Sequence, residues 1–204
     1  KKADGSMALL PRPCVDTGAG LERLAAVLEG VGSNYRTSLL APLVDLAKKL
    51  AGASPDDLGA GESPFRVIAD HARATAFLIA DGVFPEKVGR SYVLRRIMRR
   101  AIRYGTSVGL DRPFFHEVCR KVVEDFSDAY PLLAERAATI EEVVRTEEDT
   151  FRRTLSRGLK RLEAALADLG PADQQSKTFP PAVAADLYDT YGFPLDLTVE
   201  IAAE

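Results

Sequence analysis

The chain has no excess of basic residues, few cysteines and histidines, and no long apolar run, and each shortage excludes something. Its formal net charge is −3. Chains that bind nucleic acid without specificity are basic overall, so any polyanion must be met here at a local patch. Cys14 and Cys119 are the only two cysteines, far apart and outside any Cys-x-x-Cys or Cys/His cluster. That argues against a disulfide framework or a thiolate metal site and suits reduced thiols in a cytoplasmic protein. His71 and His116 are the only histidines and are equally isolated; His71 lies among helix formers, as a packing residue would. The run Ala74-Thr-Ala-Phe-Leu-Ile-Ala80 is too short to span a bilayer. Lys1-Lys2-Ala-Asp-Gly leads into no apolar signal-peptide core, so no membrane role is expected. What remains is an ordinary globular composition, 46% apolar and 28% charged over 204 residues, enough for one large domain or two small ones.

The most telling shortage is local. Between Lys87 and Leu110 there is no acidic residue. In that stretch Leu94, Ile97, Met98, Ala101 and Ile102 recur at i, i+3, i+4, i+7 and i+8, the apolar stripe of an amphipathic helix. Arg95, Arg96, Arg99, Arg100 and Arg103 fall on the other face. Like charges three and four apart repel, so this helix must be favoured by something outside it. Two partners satisfy it equally well. One is a polyanion, because guanidinium pairs bidentately with phosphate oxygens; the other is a set of acidic residues on neighbouring helices of the same fold.

Helical patterns dominate the remainder. Residues 35–50 carry Leu39, Leu40, Leu43, Val44, Ala47 and Leu50 at helical spacing, and a connection rich in Gly, Ser, Pro and Asp follows from Ala51. Ser63-Pro64 predicts an N-cap with proline behind it, and the helix so begun ends at Asp81-Gly82. Pro85 to Gly89 is a loop feeding the arginine helix, which Gly105 to Arg112 is expected to break. Pro113-Phe114-Phe115 opens a helix to about Phe126, and a long pattern runs from Leu132 to Leu169. In that long segment Glu141, Glu142, Glu147, Glu148 and Asp149 come early, and Arg152, Arg153, Arg157, Lys160 and Arg161 come late. This order suits the helix dipole and predicts Glu148–Arg152 and Asp149–Arg153 pairs. A polar stretch from Gly170 to Thr178 precedes a short helix around Leu187, a turn at Asp189 to Pro194, and a last helix from Leu195. At the other end, the turn signal Asp4-Gly5 and the pieces at 6–10 and 11–15 suggest short extended segments, too few for an independent sheet. The expected fold is all-α, mainly a helical bundle, with a short β remnant at the N-terminus.

Asp16-Thr-Gly-Ala-Gly-Leu-Glu-Arg23 runs from an extended piece into a helix with Leu21, Leu24, Val27 and Leu28 on one stripe. Gly18 and Gly20 let backbone amides approach an anion at the helix N-terminus, with Arg23 one turn in; the same glycines also permit a plain strand-to-helix connection. Three further blocks follow in order: Arg66-Val-Ile-Ala-Asp-His-Ala-Arg73, Arg90-Ser-Tyr-Val-Leu-Arg-Arg-Ile-Met-Arg-Arg100 and Leu187-Tyr-Asp-Thr-Tyr-Gly-Phe-Pro194. On these four blocks the chain resembles alanyl-tRNA synthetase, a class II aminoacyl-tRNA synthetase, over essentially its whole length.

The resemblance implies a piece of a larger enzyme. Residues 1–30 would be the C-terminal end of the class II catalytic domain, with its motif 3 and the β remnant. Residues 31–204 would be the helical tRNA-recognition domain, incomplete at its C-terminus. The parent would activate alanine with ATP and Mg2+ and transfer it to tRNA(Ala), with Gly18, Gly20 and Arg23 in the ATP site. This piece alone is expected to be monomeric, cytoplasmic and inactive, with no complete catalytic set and no bound metal, the family's zinc site lying beyond Glu204. In the family an acceptor stem marked by a G·U wobble at its third pair is read from two sides. One reader is an Asn in the loop before the arginine helix, the other an Asp in the Tyr-Asp-Thr-Tyr-Gly-Phe block. Asp189 holds the Asp position. Lys87 stands where the family has Asn, and lysine only donates whereas an amide also accepts. Lys87 is therefore expected against uracil oxygens or against phosphate, and its flexible point charge favours phosphate. Lys87, Arg90, Arg95, Arg96, Arg99, Arg100, Arg103 and Asp189 are together the expected tRNA contacts. The other reading, a stand-alone helical module that binds RNA or protein without chemistry, would have no use for an ATP-site turn.

Overall fold

The computed structural model describes residues 12, 14, 18–53, 61–169, 179–193 and 195–203. Among them there is no strand, and the chain is helical as expected. The N-terminal β pieces fall almost entirely outside the described residues, as do Asp16, Thr17 and the polar stretch 170–178. The backbone divides into two compact units, Lys1–Ala41 and Pro42–Glu204.

In the first unit, helix α1 (Leu21–Leu28) starts at Gly20, whose carbonyl accepts from the amides of Arg23 and Leu24 at 3.1 Å. It ends at Gly30, which takes a positive φ of 67° while the Val31 amide turns back to the Ala26 carbonyl at 2.9 Å. The apolar stripe read from the sequence is present, but Leu21, Leu24, Val27 and Leu28 are all exposed. A 3-10 turn (Asn34–Arg36) follows, and the Glu29 carboxylate accepts from the Ser38 amide at 2.8 Å and its hydroxyl at 2.7 Å. The helix expected from Tyr35 begins only at α2 (Ala41–Leu50). Pro42 gives the reason: a helix from residue 35 would need a Pro42 N–H to bond the Ser38 carbonyl, whereas in the first turn of α2 none is needed.

The second unit is built on α3 (Glu62–Ala80), α4 (Gly89–Ser107), α5 (Phe115–Phe126) and α7 (Ala137–Ala167), with the short α6 (Pro131–Glu135) before α7. Helix α3 packs on α4 and α5, and α7 closes the layer against α4 and α5. Ala69, Ala72 and Ala76 are fully buried on α3, so its backbone approaches its neighbours closely. Of the sequence stripe on α4, Leu94, Met98, Ala101 and Ile102 meet the core while Ile97 is half-buried; Val118 and Val122 of α5 and Val144 and Phe151 of α7 join them. Helices α8 (Pro181–Asp189) and α9 (Leu195–Ala203) lie against the far part of α7. No described helix is long and apolar enough to cross a membrane.

Three boundaries differ from the sequence reading. Helix α3 starts at Glu62, with Gly61 rather than Ser63 at its cap; Glu62 pairs there with Lys48 of α2 at 3.0 Å and with Arg66. Gly105 does not break α4 but lies buried within it, because a Cβ there would overlap the Phe114 ring. The long pattern from Leu132 is interrupted at Arg136, where ψ rises to 6° between α6 and α7.

Helix α5 has no capping side chain of its own. Its first amides are met instead by the fully buried Glu148 of α7, which accepts from Phe114 N at 3.1 Å and Phe115 N at 2.9 Å. Arg152, one turn on, donates to Glu148 at 3.0 Å and to the Leu110 carbonyl at 2.9 Å. The predicted Glu148–Arg152 pair thus forms, and it also ties both ends of the α4–α5 loop to α7. No such pair joins Asp149 to Arg153, both of them exposed. Cys119 is buried beside the Ala72 carbonyl, and burial pushes its thiol well above the usual range.

Candidate nucleic-acid interface

Tyr92, Arg95 and Arg99 recur at i, i+3 and i+7 on α4, and Glu147, Thr150 and Thr154 do so on α7, so each set forms one ridge. Where the ridges face each other, with the turn after α8 across them, lies an open cleft of about 340 Å³. Lys87, Arg95, Arg99, Thr154, Asp189 and Gly192 are among its lining residues. Lys87 comes from the loop before α4 and Asp189 from the last position of α8; both are exposed.

The wall behind them is a closed electrostatic unit. One oxygen of Glu147 accepts from Arg95 Nε at 3.0 Å and from Arg99 Nε at 2.7 Å. Arg99 Nη1 donates to the Gly192 carbonyl, and the guanidinium carbon lies 4.8 Å from the Phe151 ring centroid. Burial lowers the affinity of the Arg99 guanidinium for its proton, and the Glu147 carboxylate opposes that effect. Gly192 has a φ of 66°, and a Cβ there would overlap Arg99 Nη1, so no other residue fits the turn unchanged. The next residue, Phe193, is fully buried; its ring occupies the notch left by Gly158 on α7 and tilts against Phe151 at 6.0 Å between centroids. The Phe193 amide closes the turn on the Leu187 carbonyl at 2.9 Å, and Arg161 reaches Asp186 at 3.6 Å.

Of the residues singled out in the sequence, the structure brings Lys87, Arg95, Arg99 and Asp189 to one cleft. Arg90 and Arg96 are exposed elsewhere on α4, while Arg100 is half-buried. Arg103 is buried with its guanidinium 5.2 Å from the Tyr104 ring centroid. For Arg95 and Arg99 the internal-acid reading holds, since the two share the Glu147 carboxylate. Gly18, Gly20 and Arg23 are exposed in the first unit, where Gly20 caps α1 without a side-chain hydrogen bond. Sequence reasoning gave Glu147 and Gly192 no place in the site. Their partners lie 48 and 93 residues away, and no local pattern marks them. Among the described residues, no group of three or more His, Cys, Asp or Glu could hold a metal ion.

Comparison with known proteins gives the family to which this helical layer and its cleft belong. The chain belongs to the tRNA synthetases of class II (A), whose family model matches residues 1–204. It is 54% identical over 206 residues to the alanine–tRNA ligase of Sorangium cellulosum, covering 98% of this chain and 22% of that protein. It is 50% identical to the alanine–tRNA ligase of Anaeromyxobacter dehalogenans, over 98% of this chain and 24% of that protein. With the same ligase of Saccharophagus degradans it shares 48% identity over its full length, 22% of that protein. These relatives agree with the resemblance carried by the four sequence blocks. The chain spans less than a quarter of the length of each.

Proposed function

We propose that this chain is the part of an alanine–tRNA ligase that receives the acceptor stem of tRNA(Ala), with the α4–α7 cleft as its point of recognition. One observation carries this reading: Lys87, from the loop before α4, and Asp189, from the end of α8, stand exposed in the same cleft. An RNA duplex shows its base edges in a wide, shallow minor groove, which a shallow cleft with projecting side chains can meet. Asp189 accepts from a guanine amino group there. Lys87 meets phosphate, and the exposed Arg90 and Arg96 extend that contact along α4. Buried Arg99 and Arg103 support the surface from beneath.

In the same reading, residues 1–30 close the catalytic domain and residues 31–204 belong to tRNA recognition. Gly18 and Gly20 leave the start of α1 open to an anion, and Arg23 adds a positive charge one turn on, a combination suited to an ATP phosphate. ATP with Mg2+ would supply the adenylyl group that joins the alanine carboxylate, with pyrophosphate as the leaving group. The rest of that site, and the family's zinc, belong to the parts of the relatives that this chain does not span. The piece is monomeric, cytoplasmic and inactive by itself.

Binding of two RNA minihelices, one with G·U and one with G·C at the third pair, tests the cleft. Asp189→Ala narrows the preference for G·U by roughly 1–3 kcal/mol, by analogy with base-edge contacts in DNA. Lys87→Ala weakens both minihelices alike and makes the salt dependence shallower by about 0.7–0.9 in the logarithmic slope. An unchanged preference in Asp189→Ala removes that carboxylate from recognition, and a preference lost in Lys87→Ala reassigns the lysine to a base.

A further inference from the structure

We propose that Glu147 is the positioning residue of the cleft: through Arg99 it fixes the Gly192 carbonyl and so the turn that presents Asp189. The inference rests on the reading of the cleft given above and adds the residue that makes it selective.

A carboxylate that reads a base edge must be held still, because hydrogen-bond strength falls steeply with misalignment. Asp189 is exposed at the end of a nine-residue helix and cannot be held by its own packing. The turn behind it is held at two points. Phe193 anchors it by packing against Gly158 and Phe151. Arg99 anchors it by donating to the carbonyl of Gly192.

An arginine with one bond to a carbonyl could swing away. Arg99 cannot, because its Nε is engaged by Glu147 at 2.7 Å and the face of Phe151 lies beneath it. Only 5% of the residue is exposed, so a phosphate could take the guanidinium only by breaking these contacts. Arg99 thus acts inside the protein, and Glu147 sets its direction. Glu147 also engages Arg95, which keeps a second cation of the wall from turning to the Asp189 carboxylate. Its place on α7 is rigid: Val144 and Phe151, three and four residues away, and the adjacent Glu148 are buried.

The chain carrying Glu147→Gln, and separately Arg99→Lys, is measured in two ways. Amide hydrogen exchange of residues 190–193 is followed in the free chain, and binding is measured to the G·U and G·C minihelices. Gln has lost the charge that holds two guanidiniums. Lys cannot reach Glu147 and the Gly192 carbonyl with one planar fork. In both variants exchange in the turn quickens about tenfold while α3 and α5 stay protected. The G·U advantage narrows about fivefold, and the G·C minihelix binds no more weakly than to wild type. Loss of affinity for both minihelices together with faster exchange throughout marks a merely structural role and overturns the proposal. Unchanged exchange in the turn overturns it too, as does faster exchange with the G·U advantage intact. A wild-type chain that shows no G·U advantage refutes the proposed recognition instead, and the exchange of residues 190–193 then still decides whether Glu147 holds the turn.

Discussion

Glu148→Ala is expected to lower the stability of the helical unit by about 3–5 kcal/mol, the range for breaking a buried charged pair by removing one partner. Three donors lose their acceptor at once: the amides of Phe114 and Phe115 and the guanidinium of Arg152. The amides lie where α5 has no cap of its own, and no alanine atom can replace the carboxylate. Urea unfolding followed by far-UV circular dichroism measures the loss; a change below about 1 kcal/mol would mean that water supplies the cap instead. Acidity gives a second check. Burial raises the Glu148 carboxyl above its usual range, against the lowering pull of the Phe114 amide and Arg152. A raised folded-state value means that the folded chain binds this proton more readily than the unfolded one. The group's contribution is therefore fully present below the unfolded value and is lost as pH rises through the folded one. In Glu148→Gln that part of the pH dependence disappears, so the mutant's stability relative to wild type improves as pH rises towards neutrality.

Gly158→Leu should cost roughly 3–5 kcal/mol, the cost of losing a buried phenylalanine, because the new side chain and the Phe193 ring cannot share one notch. Even a Cβ at position 158 would overlap that ring. Gly158→Ala sets two effects against each other. Alanine improves helix propensity by about 1 kcal/mol over glycine, whereas overpacking a core costs about 1–3 kcal/mol. The neighbour here is a rigid ring, fully buried and backed by Phe151, so it has nowhere to move and the clash prevails. Thermal unfolding of both variants, with amide exchange of residues 187–193, checks the order Leu worse than Ala worse than wild type. An alanine variant more stable than wild type would show that Phe193 finds another seat.

Much of this was legible in the chain itself. The apolar stripe marks α4, a long helical pattern marks α7, and cap and turn signals mark α3 and α5; glycine at 82 ends α3 as expected, with a φ of 82°. The absence of acids from Lys87 to Leu110 correctly signals that the arginine face needs outside partners. Which partner each arginine takes was not legible, because Glu147 is 48 residues from Arg99 in the chain. Gly105 shows the same limit: glycine in a helical pattern reads as a break, yet here it makes room for a ring from the next loop. The two i, i+4 pairs predicted on α7 looked equivalent in sequence. Only Glu148–Arg152 forms, since burial fixes Glu148 while Asp149 stays in water. Lys87 and Asp189 drew attention through a resemblance, and the fold brings them together in space.

The hydrogen bond from Arg99 to the Gly192 carbonyl spans 93 residues. A ribosome makes about 5–20 residues per second, so several seconds pass between the appearance of the donor and that of its acceptor. During that interval α3, α4 and α5 can already associate, because their contacts are closer in sequence and cost less loop closure. The turn that carries Asp189 then docks onto a layer already formed. In refolding, too, a contact that closes so long a loop is expected outside the nucleus, so variants at Gly192 should leave the refolding rate nearly untouched and act by hastening unfolding.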